Sequence, residues 1–148
     1  VSGCGYGSHV NDACSTVWQD VQAFIGTWIP TSSEITITCP GQLMKSQLTQ
    51  DTIWKMGVAS DLVQPPDASG CTLLANVSGK TATGLRNQKC NQEMAGTTLS
   101  LSISSYAFSV GAAGTSATEN GTGTAMVTNG GTTTTCTYSE TAMYTKSH

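Results

Sequence analysis

Cys4, Cys14, Cys39, Cys71, Cys90 and Cys136 are the residues of this chain with the most definite chemistry to offer. No two of them form a C-x-x-C pair, and the only histidines, His9 and His148, lie near the two ends. A structural zinc site usually takes two of its ligands from neighbouring positions. Six cysteines so spaced therefore read as a disulfide framework, which places the folded chain in an oxidising compartment, extracellular or periplasmic or at a cell surface. Catalytic signals are absent: there is no G-x-S-x-G elbow, H-E-x-x-H helix, phosphate-binding loop or C-x-x-C-H haem site. His9 sits in a Gly-rich arm and His148 is the last residue, and neither is placed to act as a general base. Paired carboxylates are the remaining route, and Glu34 with Glu140 would be the pair if the first and last strands are neighbours. Solvated acids on strand faces are far commoner, so the expectation is no enzyme, no metal and no cofactor. Trp28, Trp54, Tyr106, Phe108, Tyr138 and Tyr144 are the candidates to line a cavity for an apolar ligand. The competing reading is that they simply fill the core.

Composition narrows the field further. Thr occurs 24 times and Ser 17 times in 148 residues, while only 10% of positions are charged. Thr favours strands and Ser and Gly favour turns, so the solvent face of this protein is built from hydroxyls. The net charge is −3, and Lys45, Lys55, Lys80, Arg86, Lys89 and Lys146 form no dense patch. Nucleic-acid binding, which needs a basic face against phosphates, is disfavoured. The longest apolar runs are far shorter than the ~20 residues that span a bilayer as a helix, so no transmembrane segment is expected. Asn76-Val-Ser and Asn120-Gly-Thr are glycosylation acceptors only in a eukaryotic source.

The elements that must position these residues follow from periodicity. A single domain is expected over 1–148, made of an arm at 1–11, a helix at 12–26 and a barrel at 27–148. Asn11 or Asp12 caps the helix; Val17, Val21, Phe24 and Ile25 recur at helical spacing, and Gly26 stops it. Val21 and Ile25 are expected to be buried, with Phe24 or Trp18 at the margin. From Glu34 the period becomes two, with Ile35 and Ile37 on one face, and Pro40-Gly41 turns the chain. Residues 42–50 and 52–59 read as the next strands, and 61–70 as a loop. Residues 71–77 and 80–85 form a hairpin about Ser78-Gly79. Residues 97–103 alternate cleanly. The apolar phase then flips to Tyr106, Phe108 and Val110, which predicts a bulge near Ser104-Ser105. Residues 114–128 and 132–145 close the chain as a hairpin about Asn129-Gly130-Gly131. About eight strands separated by local turns predict a mainly β fold: an up-and-down antiparallel barrel with one N-terminal helix, stapled by disulfides.

Phe24-Ile25-Gly26-Thr27-Trp28 resembles the F-x-G-x-W signature of the lipocalin and calycin group. In that group a helical lead-in precedes the first strand, and the Trp packs across the closed end of an eight-stranded barrel. In that group an Arg near the chain end stacks on that Trp; this chain has no Arg there, and Lys146 is the nearest cation. The resemblance implies a small apolar ligand in the barrel mouth. Val1-Ser-Gly-Cys4 resembles the end of a bacterial lipoprotein signal, which would make Cys4 a lipid anchor; the other reading of Cys4 is a disulfide cysteine. Two functions from different classes are left. One is a secreted or surface-anchored barrel that binds a small apolar ligand. The other is a structural or adhesive surface module with a filled core.

Barrel geometry also suggests a connectivity among the 15 that six cysteines allow. Cys39 lies late in the first strand and Cys136 early in the last, so the two would meet across the barrel seam. Cys71 and Cys90 flank a hairpin, and Cys4 with Cys14 remains.

Overall fold

The outward positions of the last strand read Thr133, Thr135, Thr137, Ser139 and Thr141, and its inward ones Cys136, Tyr138, Glu140, Ala142 and Tyr144. Such an alternation can bury only one face, and the chain closes that face on itself. The computed structural model describes residues 20–65, 72–94 and 97–147, without the side chains of 92–94. Ten strands follow in order: β1 (Gly26–Cys39), β2 (Gln42–Ser46), β3 (Thr52–Met56), β4 (Leu62–Gln64) and β5 (Leu73–Ser78), then β6 (Thr81–Gly84), β7 (Gln88–Met94), β8 (Thr97–Val110), β9 (Ser116–Asn129) and β10 (Thr132–Lys146). All pairings are antiparallel. Eight strands form a ring in the order β1, β3, β4, β5, β6, β8, β9, β10, and β10 pairs back onto β1. The fold is an up-and-down barrel with a helical lead-in, of which residues 20–22 are described.

The two strands outside the ring divide the barrel into unlike halves. β1 pairs with β3 through Gly26–Trp28 and with β2 through Ile35–Cys39. β8 pairs with β7 through Thr97–Ile103 and with β6 through Ala107–Ser109. One half is thus closed by eight strands. The other consists of β2, β1, β10, β9, β8 and β7, with no ladder joining β2 to β7 among the described residues. β1 and β8 each carry a register shift where their partners change, at Thr31 and Ser104. A bulge bends its strand and flips the side-chain phase. On β8 it keeps Leu99, Leu101 and Ile103 inward on one side and Tyr106, Phe108 and Val110 inward on the other.

Turn residues fit their turns. Gly130 and Gly131, at φ 59° and 84°, make the two-residue hairpin between Asn129 and Thr132. Pro40-Gly41 links β1 to β2 with Gly41 at φ 72°, the second central position of a type II turn.

The core of the closed half is an aromatic cluster. Phe108 meets Trp28 and Tyr144 at centroid distances of 5.4 Å each, Trp54 at 5.7 Å and Phe24 at 6.2 Å. Trp28 donates from Nε1 to the Phe24 carbonyl at 2.9 Å. Lys146 Nζ lies 5.3 Å over the Trp28 ring and donates to the Ala23 carbonyl, a cation at a helix C-terminus.

The structure corrects several expectations. β1 begins at Gly26, eight residues before the expected change of period at Glu34, so Trp28 is already in a strand. Phe24 is fully buried and Ile25 only half-buried, because the last turn rolls Phe24 onto Phe108. The stretch 61–70 was expected to be a loop; Leu62–Gln64 instead pairs on both sides, with β3 and β5. β7 was not expected at all. Residues 97–110 form one bulged strand. The expected helical stretch from residue 12 to 19 lies outside the described residues.

The seam disulfide is present. Cys39 and Cys136 are bonded across β1 and β10, Cα atoms 4.4 Å apart. Cys90 is also disulfide-bonded. Its expected partner Cys71, and the expected pair Cys4–Cys14, lie outside the described residues.

Candidate functional site

Inward residues of β8, β9, β10 and β1 stack in layers set by the register. Val110, Ala117, Tyr144 and Pro30 form one layer, and Phe108, Glu119, Ala142 and Ser33 the next. Tyr106, Gly121, Glu140 and Ile35 follow, then Ile103, Gly123, Tyr138 and Ile37. The small residues matter here. Gly121 and Gly123 leave β9 without side chains where the barrel turns from packed to open. A Cβ on Gly121 would stand 3.5 Å from the Tyr106 ring, and one on Gly123 would strike the Ser102 carbonyl at 2.0 Å.

The last two layers open onto a cavity of about 1150 Å³ in the open half. Ile35, Ile37, Leu99, Leu101 and Ile103 supply apolar wall, and Tyr106, Tyr138, Glu119 and Glu140 the polar surface within. Residues 47–51, Gln64, Pro65 and 88–91 contribute to its lining from the connections and from β7. Two side chains bridge the places where strands break. Ser33 Oγ accepts from the Leu48 amide at 2.7 Å. The Gln88 amide group accepts from Leu74 N–H at 2.7 Å and donates to the carbonyls of Leu74 and Leu85, standing in for a strand.

The acids form a connected network. Glu119 accepts from Tyr106 Oη at one oxygen and from Tyr144 Oη, at 2.9 Å, at the other. Tyr106 Oη in turn accepts from Gln64 Nε2, and Tyr144 Oη from Thr52 Oγ1. Glu140 accepts from Tyr138 Oη and is the diagonal neighbour of Glu119 across β9 and β10. Glu119 is 3% exposed. Burial first, and then Glu140, push its carboxyl well above the usual carboxylate range against the pull of the two tyrosines. Burial, followed by the neighbouring acid, also raises the phenols of Tyr106, Tyr138 and Tyr144.

Of the six aromatics singled out in the sequence, Tyr106 and Tyr138 line the cavity. Trp28, Trp54, Phe108 and Tyr144 are packed in the closed half, Tyr144 reaching the site only through Glu119. Glu34 does not meet Glu140. β1 and β10 are neighbours, but Ile35 is the residue opposite Glu140, so Glu34 faces outward, 3.8 Å from Lys45. Glu119 carried a signal that went unused: it shares the inward phase of Ala117, Gly121 and Ala125. Asn76 and Asn120 are exposed on β5 and β9, while His9 and His148 lie outside the described residues. Among the described residues no group of acids, cysteines and histidines could hold a metal, and no helix is long and apolar enough to cross a membrane. Set against protein-family models, curated proteins and solved structures, the chain matches none of them.

Proposed function

We propose that this chain is a secreted or surface-anchored barrel, lipocalin-like in plan, that binds a small, largely apolar molecule in its open half. The observation that carries this reading is the cavity of about 1150 Å³, walled by Ile35, Ile37, Leu99, Leu101 and Ile103. Ligand pockets are typically ~300–1,000 Å³, apolar, with a few convergent polar groups, and this one has that character at slightly larger size. Supporting the lipocalin-like plan are the Phe24–Trp28 contact and the Lys146 cation over Trp28 at the closed end. The seam disulfide suits an oxidising compartment. Surface attachment would come from a lipid on Cys4, and the intact mass of protein from its own source separates that from simple secretion.

The test is a titration with a broad panel of fatty acids, alcohols and amines, followed by tryptophan fluorescence and by native mass spectrometry. Trp54 stands 6.3 Å from Tyr106, a cavity residue, and is the expected reporter. Saturable quenching by at least one compound is the expected result. Silence across the panel would leave the structural or adhesive module as the better reading.

A further inference from the structure

This inference rests on the ligand-binding reading and concerns the chemistry of the guest. Glu119 and Glu140 are diagonal neighbours on β9 and β10, since Glu119 opposes Ala142 and Glu140 opposes Gly121. Both line the cavity, so its polar end presents two carboxyls side by side. Charges removed from water are ordinarily matched by a counter-ion. Here Lys45 pairs with Glu34 on the outer face, and no Lys or Arg is among the groups that act on the Glu119 carboxyl. Lys89, the cation of the cavity lining, holds an exposed position on β7.

The two acids are not equally available. Both oxygens of Glu119 already accept from tyrosines, and its side chain is buried. Glu140 is half-buried, in the layer next to the apolar walls, with Tyr138 on one oxygen. We propose that the guest is an amphiphile with one apolar body and one protonated amine, seated with the amine against Glu140. An ammonium brings three donors and no acceptor, which suits a surface already rich in acceptors. A carboxylate guest would add like charge to a desolvated acid pair. A hydroxyl could hydrogen-bond there but brings no positive charge to the two acids.

Octylamine, octanol and octanoate share one tail and differ in the head, and an alkylamine stays protonated at pH 7 as lysine does. Calorimetric titration of each into the full-length, oxidised chain should rank octylamine tightest, at least about tenfold ahead of octanol, with octanoate weakest. In Glu140→Gln, octylamine should fall to the level of octanol while octanol itself stays within about threefold. Circular dichroism and thermal unfolding establish that the variant is folded; if it is not, the ranking in the unmodified chain decides alone. Octanoate binding as tightly as octylamine, or an amine preference that survives in Glu140→Gln, overturns the proposal. Failure of all three compounds to bind overturns the cavity reading with it. Octanol and octanoate binding without an amine preference removes only the amine assignment.

Discussion

The two halves of the barrel are made from the same four long strands and behave as different materials. In the closed half, Phe108 is surrounded by Phe24, Trp28, Trp54 and Tyr144, and the ring of strands is complete. In the open half, a smaller cluster of Ile37, Leu99, Leu101, Ala125, Cys136 and Tyr138 lies beside a cavity instead of around a central ring. The boundary lies at the bulges at Thr31 and Ser104, where each strand changes partner. The difference teaches that stability and vacancy can be separated along one strand, by one extra residue, without a second domain.

The largest expected effect tests whether the open half depends on its staple. Replacing Cys39 and Cys136 together by alanine should lower unfolding stability by about 3–5 kcal/mol, measured by denaturant titration. Hydrogen exchange should quicken first in residues 35–39 and 132–138, and a uniform change over both halves would contradict the division. Next, Phe108→Ala should cost about 3–5 kcal/mol, because four rings lose their common partner. Ile103→Ala, on the cavity wall, should cost less than about 2 kcal/mol; equal losses would mean that the open half is packed like the closed one.

The carboxyl pair at the junction gives a pH test. Glu119 holds its proton more tightly folded than unfolded, so its contribution is complete below the ordinary carboxylate value of 4.5 and is lost as pH rises toward the raised folded value. Stability should therefore fall with rising pH across that window, with a slope of at most about 1.4 kcal/mol per pH unit. Glu119→Gln should flatten the slope, and an unchanged slope would assign it elsewhere. The smallest effect separates two tryptophans of the closed half. Trp54 Nε1 is buried without a hydrogen-bond partner among the described residues, whereas Trp28 Nε1 donates to Phe24. Trp54→Phe should change stability by less than about 1 kcal/mol, and Trp28→Phe should cost about 1 kcal/mol more than that.

Sequence made the closure of the barrel legible because long strands with a fixed phase announce themselves. The hairpin at Asn129-Gly130-Gly131, the phase flip before Tyr106 and the meeting of Cys39 with Cys136 all followed from local pattern plus one topological idea. β7 was invisible because Gln88-Lys-Cys-Asn-Gln-Glu-Met94 has no apolar alternation; its ladder with β8 makes it a strand. β4 was hidden beside Pro65-Pro66, and three residues suffice there because both edges are paired. The acid pair was half legible. Glu140 was named, but its partner was sought on β1, where a register of one residue points Glu34 to solvent; the true neighbour lay two positions along β9 from the facing Gly121.

The unequal pairing of the strands also sets the direction in which the mouth can yield. β8, β9, β10 and β1 are zipped to one another along nearly their whole length, and a covalent bond pins the rim at Cys39 and Cys136. β2 and β7 are five and seven residues long, each laddered in the sheet to a single described strand. Compliance is therefore concentrated on one side, like a cuff that is sewn along one edge and loose along the other. Exchange of a guest would proceed by local movement of two short strands, on the microsecond-to-millisecond scale of such motions, with the aromatic half of the molecule left undisturbed.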